Sequence, residues 1–155
     1  MNISSNYLPK TMSKKDKEIQ RKNILRTRKL YKKGIFVNRK SVKTFTSKPS
    51  PHIQNAMKLY NVSSVKPSLE LSRKTKCSLK GLKRIVSKGA GAYYASGSRP
   101  NQTPLSWGFA RLASSITGNK ASIVDNHILR EECKPDSLAL KLSNKAKNNR
   151  SIKNT

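Results

Sequence analysis

The sequence predicts a mainly α-helical protein: a basic N-terminal arm carrying one charged helix, then a small helical module, with termini partly extended or disordered. Three observations predict it. Apolar residues recur at three- and four-residue spacing rather than alternating, which marks helices with one buried face. Those runs are opened by Ser or Thr, twice with Pro directly after, and several are closed by Gly. The hydrophobic fraction is 34%, below the ~45–50% of ordinary globular domains, although that average also counts Gly. A chain of 155 residues with so little apolar material is expected to form one modest core with extensions, not a full-length compact fold.

Ser13 is placed to cap a helix running to about Lys33 and stopped by Gly34. Its apolar residues, Ile19, Ile24, Leu25, Leu30 and Tyr31, make only a broken stripe. Like charges one turn apart, such as Lys17 and Arg21, repel, so this helix alone is marginal in water. Short extended pieces are expected around Ile35, Val37, Val42 and Phe45. Ser50-Pro51 then starts a helix whose Ile53, Ala56, Met57 and Tyr60 share one face. Pro67 opens another through Leu69 and Leu71, and Ser78 caps a third with Leu79, Leu82, Ile85 and Val86 on one side, ended by Gly89. Thr103-Pro104 begins a helix with the stripe Leu105, Phe109, Leu112 and Ile116, closed by Gly118. One helix is expected over about Ala121 to Glu132, and another after Pro135. The chain thus divides into a basic arm (1–50), a short amphipathic helix and linker (51–66), a small helical module (67–142) with a Gly/Ser-rich loop at 89–103, and a disordered basic tail (143–155).

Charge is the strongest functional signal. Lys and Arg number 34 against 7 acids, a net charge of +27. Residues 1–50 hold 15 of the cations and 2 of the acids, whereas residues 89–133 are nearly neutral. A compact body so charged repels itself at low salt, so a polyanion is expected, and polyphosphate fits best because each neutralised phosphate releases a counterion. An anionic membrane surface or an acidic protein face is the alternative. The residues expected to meet phosphate are Lys14, Lys15, Lys17, Arg21, Lys22, Arg26, Arg28, Lys29, Lys32, Lys33, Arg39 and Lys40 of the arm, with Lys80, Lys83 and Arg84 of a basic helix and Arg99 of the loop.

The loop Gly97-Ser98-Arg99-Pro100-Asn101-Gln102, leading into a helix N-terminus, suits an anion. Tyr93, Tyr94, Trp107 and Phe109 are expected at an interface, the tyrosines as stacking surfaces for a base; the alternative is that they are core residues. The glycine spacing is neither a P-loop nor a dinucleotide fingerprint. No acid pair is set for acid–base work, and Asp125, His127 and Ser96 or Ser114 make a triad only on paper. His52, His127, Cys77 and Cys133 lack metal-ligand spacing, so neither metal nor cofactor is expected. Two lone thiols suit an intracellular protein better than a disulfide scaffold, unless the fold brings them together. No run approaches the ~18 apolar residues of a membrane span, and residues 1–8 lack the plan of a signal peptide.

Three strings carry a resemblance: LPKTMSKKDKEIQRK with RKLYKKG between Tyr7 and Gly34, VKTFTSKPSPH at 42–52, and AYYASGSRPNQTPLSWGFARLASSITGNKASIVD at 92–125. Together they resemble an uncharacterised family of small basic proteins of large nucleocytoplasmic DNA viruses, over roughly residues 7–133. Asn119 stands where that family often has a second glycine. The resemblance implies a virion or viral-factory protein facing a large genome, and with no catalytic constellation in the sequence a non-enzymatic role is expected. With the charge map it suggests a structural, DNA-binding component that condenses or packages double-stranded DNA without strong sequence preference. The alternative is a minor capsid or scaffold protein lining the inner capsid against acidic protein surfaces.

Overall fold

A computed structural model describes residues 2–153. The protein is mainly α-helical, with eight α-helices among the described residues: α1 (Lys14–Lys32), α2 (Pro51–Tyr60), α3 (Leu69–Thr75), α4 (Leu79–Ala95), α5 (Pro104–Ile116), α6 (Lys120–Val124), α7 (Asn126–Glu132) and α8 (Leu138–Lys153). Two compact units form, Met1–Lys48 with Gly89–Trp107, and Pro49–Lys88 with Gly108–Thr155. The chain passes from one unit to the other within α4 and again within α5.

The second unit, which joins the expected amphipathic segment to parts of the expected helical module and tail, holds a hydrophobic core. The predicted face of α2 packs there, with Ala56 and Tyr60 buried and Ile53 and Met57 against them. Leu71 of α3, Leu82, Ile85 and Val86 of α4, Leu112 and Ile116 of α5, Ile128 and Leu129 of α7, and Leu140 of α8 join it. The Tyr60 hydroxyl donates to the Ile116 carbonyl at 2.5 Å, satisfying a polar group inside an apolar core. Gly108 lets α5 approach α4 closely: a Cβ there would lie 2.6 Å from the Val86 carbonyl oxygen.

A buried carboxylate ties the α6–α7 junction to α5 and α4. Asp125 is 0% exposed; it accepts from Arg111 Nε at 3.0 Å, Arg111 Nη2 at 2.8 Å and Ser115 Oγ at 2.8 Å, with Lys88 Nζ 3.6 Å away. Here the helix expected over 121–132 breaks into α6 and α7, because Asp125 leaves helical geometry (φ −93°, ψ 9°). An i, i+3 apolar pattern gives no sign of that break.

Two further points on this unit, the open pairing of the cysteines and the expected disorder of the tail, are decided by the structure. Cys77 and Cys133 are not lone thiols but a disulfide, supported on either side by Ser78 N–H to the Glu132 carbonyl (2.7 Å) and Lys134 N–H to the Lys76 carbonyl (2.8 Å). The tail from 143 is not disordered as far as it is described. Ser143 is buried, donates to the Ser122 carbonyl at 2.8 Å and accepts from Asn126 Nδ2 at 2.8 Å, so polar bonds carry α8 where apolar residues are few.

The first unit departs further from the expected extended arm. α1 begins where predicted, with Ser13 Oγ accepting from Asp16 N–H at 3.1 Å, and Gly34 turns the chain beyond it. Its buried stripe is Asp16, Gln20, Ile24 and Thr27, one residue per turn, three of the four polar. Gln20 Nε2 donates to the Ser98 carbonyl at 3.2 Å, and Thr27 Oγ1 donates to the Asn23 carbonyl at 2.7 Å. Asp16 Oδ2 accepts from both the hydroxyl (2.5 Å) and the backbone N–H (2.8 Å) of Thr44. The helix expected to stop at Gly89 continues to Ala95, since neither Gly89 nor Gly91 takes a left-handed conformation and Tyr93 finds a fully buried place. The loop is therefore residues 96–103.

Those Thr44 bonds, hydroxyl first and backbone second, hold the Asp16 carboxyl below its ordinary 3.8. A carboxylate with a depressed folded-state pKa contributes stability above its unfolded value and loses it as pH falls through the lower folded value. The difference in urea midpoint between the wild type and Asp16→Asn should therefore be full near neutral pH and close progressively below 3.8; a difference indifferent to pH contradicts the assignment.

Candidate nucleic-acid interface

Burying the 16–20–24–27 stripe leaves the rest of α1 to solvent, and that surface is almost wholly cationic. Lys14, Lys15, Arg21, Lys22, Arg26, Lys29, Lys32 and Lys33 are exposed, and Lys17 is half-buried. At 1.5 Å per residue the helix is roughly 28 Å long, long enough to meet several phosphates. Asp16 and Glu18 are the only acids in the sequence of this unit. Asp16 is engaged by Thr44, and Glu18 lies 3.8 Å from Arg21 in an exposed pair of a kind that contributes little. Between α1 and the end of α4 runs a groove of about 650 Å³ lined by Leu25, Arg26, Arg28, Lys29, Lys32 and Ala95.

Several expected phosphate ligands have other duties. Arg39 lies 3.7 Å over the Tyr93 ring and donates to the Tyr93 carbonyl and to Ser98 Oγ, each at 2.8 Å. Its backbone N–H donates to the Tyr93 hydroxyl at 2.7 Å. Burial lowers the guanidinium from its ordinary value, as expected for a cation inserted into the fold rather than offered to a ligand. Arg28 donates to the Ser96 carbonyl at 2.7 Å and the Asn2 carbonyl at 3.2 Å. Arg84 pairs with Glu131 at 2.7 Å and Glu132 at 3.2 Å; its hydrogen bond to Glu131 holds that carboxyl below its ordinary value. Lys40, Lys80, Lys83 and Arg99 are exposed. Lys80 and Lys83, with Ser87, Lys88 and His127, line a second basic groove of about 650 Å³ in the other unit.

The loop is a structural joint rather than an anion cradle. Asn101 Nδ2 donates to the Phe45 carbonyl at 2.8 Å, and its Oδ1 accepts from Val42 N–H at 2.7 Å. At the start of α5, Thr103 N–H donates to Ser106 Oγ and Ser106 N–H to Thr103 Oγ1, at 2.9 and 3.0 Å, so these donors are engaged within the chain. Tyr93 is fully buried and so is not an interface residue. Phe109 is partly buried against the core of the second unit, and Trp107 is half-buried with its ring edge-on to Tyr7 at 6.0 Å. Tyr94 remains half-exposed, stacked on Tyr31 at 5.8 Å and 6°.

The paper triad does not assemble. Asp125 is filled by Arg111 and Ser115, and Ser114 Oγ accepts from Ala121 N–H at 3.2 Å. Sequence reasoning also missed exposed cations: Lys141, Lys145, Lys147 and Arg150 lie on α8. Their acid-free run was visible, but Lys145, Lys147 and Arg150 were assigned to a disordered tail and Lys141 to the end of the helical module.

If the exposed cations meet DNA phosphates, Arg99→Ala and Lys22→Ala should weaken that binding to within about twofold of each other, each losing one contact of the same kind. Arg39→Ala should instead cost about 3 kcal/mol of stability through the lost ring contact and hydrogen bonds, read as a lower urea midpoint. A selective binding loss at Arg99 contradicts the structural role given to the loop.

Among the curated proteins none matches this chain, and none of the solved structures does either. The pattern of a family of unknown function, DUF5824, matches residues 7–135, which take in α1, the loop and the disulfide. The chain belongs to that family.

Proposed function

We propose that this protein is a non-enzymatic nucleic-acid-binding protein that holds the phosphate backbone without strong sequence preference. One observation carries the reading. Among the described residues the ion pairs involve only Arg21, Lys76, Arg84, Lys88 and Arg111, against 34 Lys and Arg in the chain. Apart from Arg21, which pairs with Glu18, the exposed cations of α1 have no ion-pair partner among the described residues and lie along one helix. Such a row suits a polyphosphate, whose condensed counterions are released on contact. Lysines and arginines that reach phosphate position a protein but carry little base information, which is why broad rather than selective binding is proposed. Within a virion, the setting suggested by the sequence resemblance, the role would be genome condensation or packaging.

A salt titration tests this. The logarithm of the association constant for DNA should fall linearly with the logarithm of salt concentration, with a slope set by several phosphates. Replacing Lys22, Arg26 and Lys29 together by Ala should reduce that slope by about three, close to one per contact removed. Failure of the purified protein to retard DNA at low salt overturns the proposal, and co-fractionation with shells emptied of genome would favour a capsid role instead.

A further inference from the structure

The turn after α1 produces an aromatic surface that charge alone does not explain. Lys33 N–H and Ile35 N–H both donate to the Leu30 carbonyl, at 3.0 and 2.9 Å, and Gly34 N–H donates to Tyr31 at 2.9 Å. Gly34 supplies the left-handed residue (φ +78°) that this helix ending requires. The chain folds back so that Phe36 sits edge-on against Tyr31 (5.6 Å, 61°) and Tyr94 (5.3 Å, 65°). Yet Phe36 is 64% exposed, and its neighbour Ile35 is 47% exposed. The two tyrosines hold the Phe36 ring in place while much of it faces solvent.

The surroundings indicate what that ring meets. Tyr31 adjoins Lys32 and Tyr94 adjoins Ala95 in the chain, and Lys32 and Ala95 both line the groove between α1 and α4. Lys29, Lys32 and Lys33 are exposed, and the sequence has no acid between Glu18 and Glu70. An acidic protein face would neutralise the cations but offers few flat rings. A nucleic acid supplies both phosphates and π-faces, and only an unpaired base has a face free to stack. In a duplex the faces are occupied by neighbouring bases.

We propose that Phe36, set against Tyr31 and Tyr94, is a stacking platform for an unpaired base, so that this protein takes single-stranded nucleic acid in preference to duplex. The inference rests on the nucleic-acid reading above and goes beyond it by naming the form of strand. The full chain is titrated by fluorescence anisotropy against labelled oligothymidylate of about 20 nucleotides, longer than the ~4–16 of typical single-strand sites, and against a duplex of equal length. Wild type should bind the single strand more tightly. Phe36→Ala should weaken single-strand binding on the order of tenfold and leave the duplex within about twofold, with an unchanged salt slope because no phosphate contact is lost. Phe36→Trp should restore single-strand affinity, which separates stacking from a general fold defect. Equal losses on both probes, or none on the single strand, overturn the stacking platform while leaving the nucleic-acid reading in place. No binding of either probe by wild type overturns both.

Discussion

Seven carboxylates must serve 34 cations in this chain, and their placement governs how it folds. Most sit where segments distant in sequence meet. Asp16 fastens the Thr44 segment to α1. Asp125 gathers Arg111, Ser115 and Lys88 in a buried centre. Glu132 takes Ser78 and Arg84, Glu131 takes Arg84, and Asp136 takes Lys76. The exposed pairs contribute little singly, but removing a partner of a buried charge costs about 3–5 kcal/mol. Asp125 is therefore the carboxylate whose loss the second unit tolerates least. With most of the acids so engaged, most of the remaining cations face outward, where they repel one another at low salt.

The two units solve the shortage of apolar material differently. The second builds a conventional core from helical stripes and closes it with a disulfide between residues 56 apart. A crosslink of that span constrains the unfolded chain and adds to a small core. The first has few buried aliphatic side chains beyond Met12, Ile24 and Val42. It relies on hydrogen bonds from Gln20, Arg39 and Asn101 to backbone atoms, and on the Arg39–Tyr93 contact. A cation buried against a ring is one way for a basic sequence to fold part of its own charge inward.

Much of the second unit was legible because its signals are local. Ser50-Pro51 and Ser78 mark helix starts, and the spacing of Ala56 and Tyr60 or of Leu112 and Ile116 marks the buried faces. The first unit was harder to read because its buried positions are polar. A search for apolar periodicity passes over Asp16, Gln20 and Thr27 and finds Ile19, which is 39% exposed. Gly89 and Gly91 look like helix stops but remain helical, and nothing local distinguishes them from Gly34, which does stop one. The basic residues of the candidate interface were legible as a class. Which of them the fold keeps for itself was not: Arg39 and Arg84 differ from Lys22 only through long-range partners. Phe36 was passed over because a single phenylalanine in a basic stretch has no spacing to announce it.

If unneutralised charge is what this fold must live with, its stability should rise with ionic strength. The most direct measurement is thermal unfolding in chloride from about 0.01 to 0.5 M, over which the screening length falls from about 30 Å to below 10 Å. The account predicts a melting temperature that climbs over this range as repulsion between exposed lysines and arginines is screened. A melting temperature that stays flat or falls would mean that the positive charge is already balanced inside the molecule, and would contradict the account.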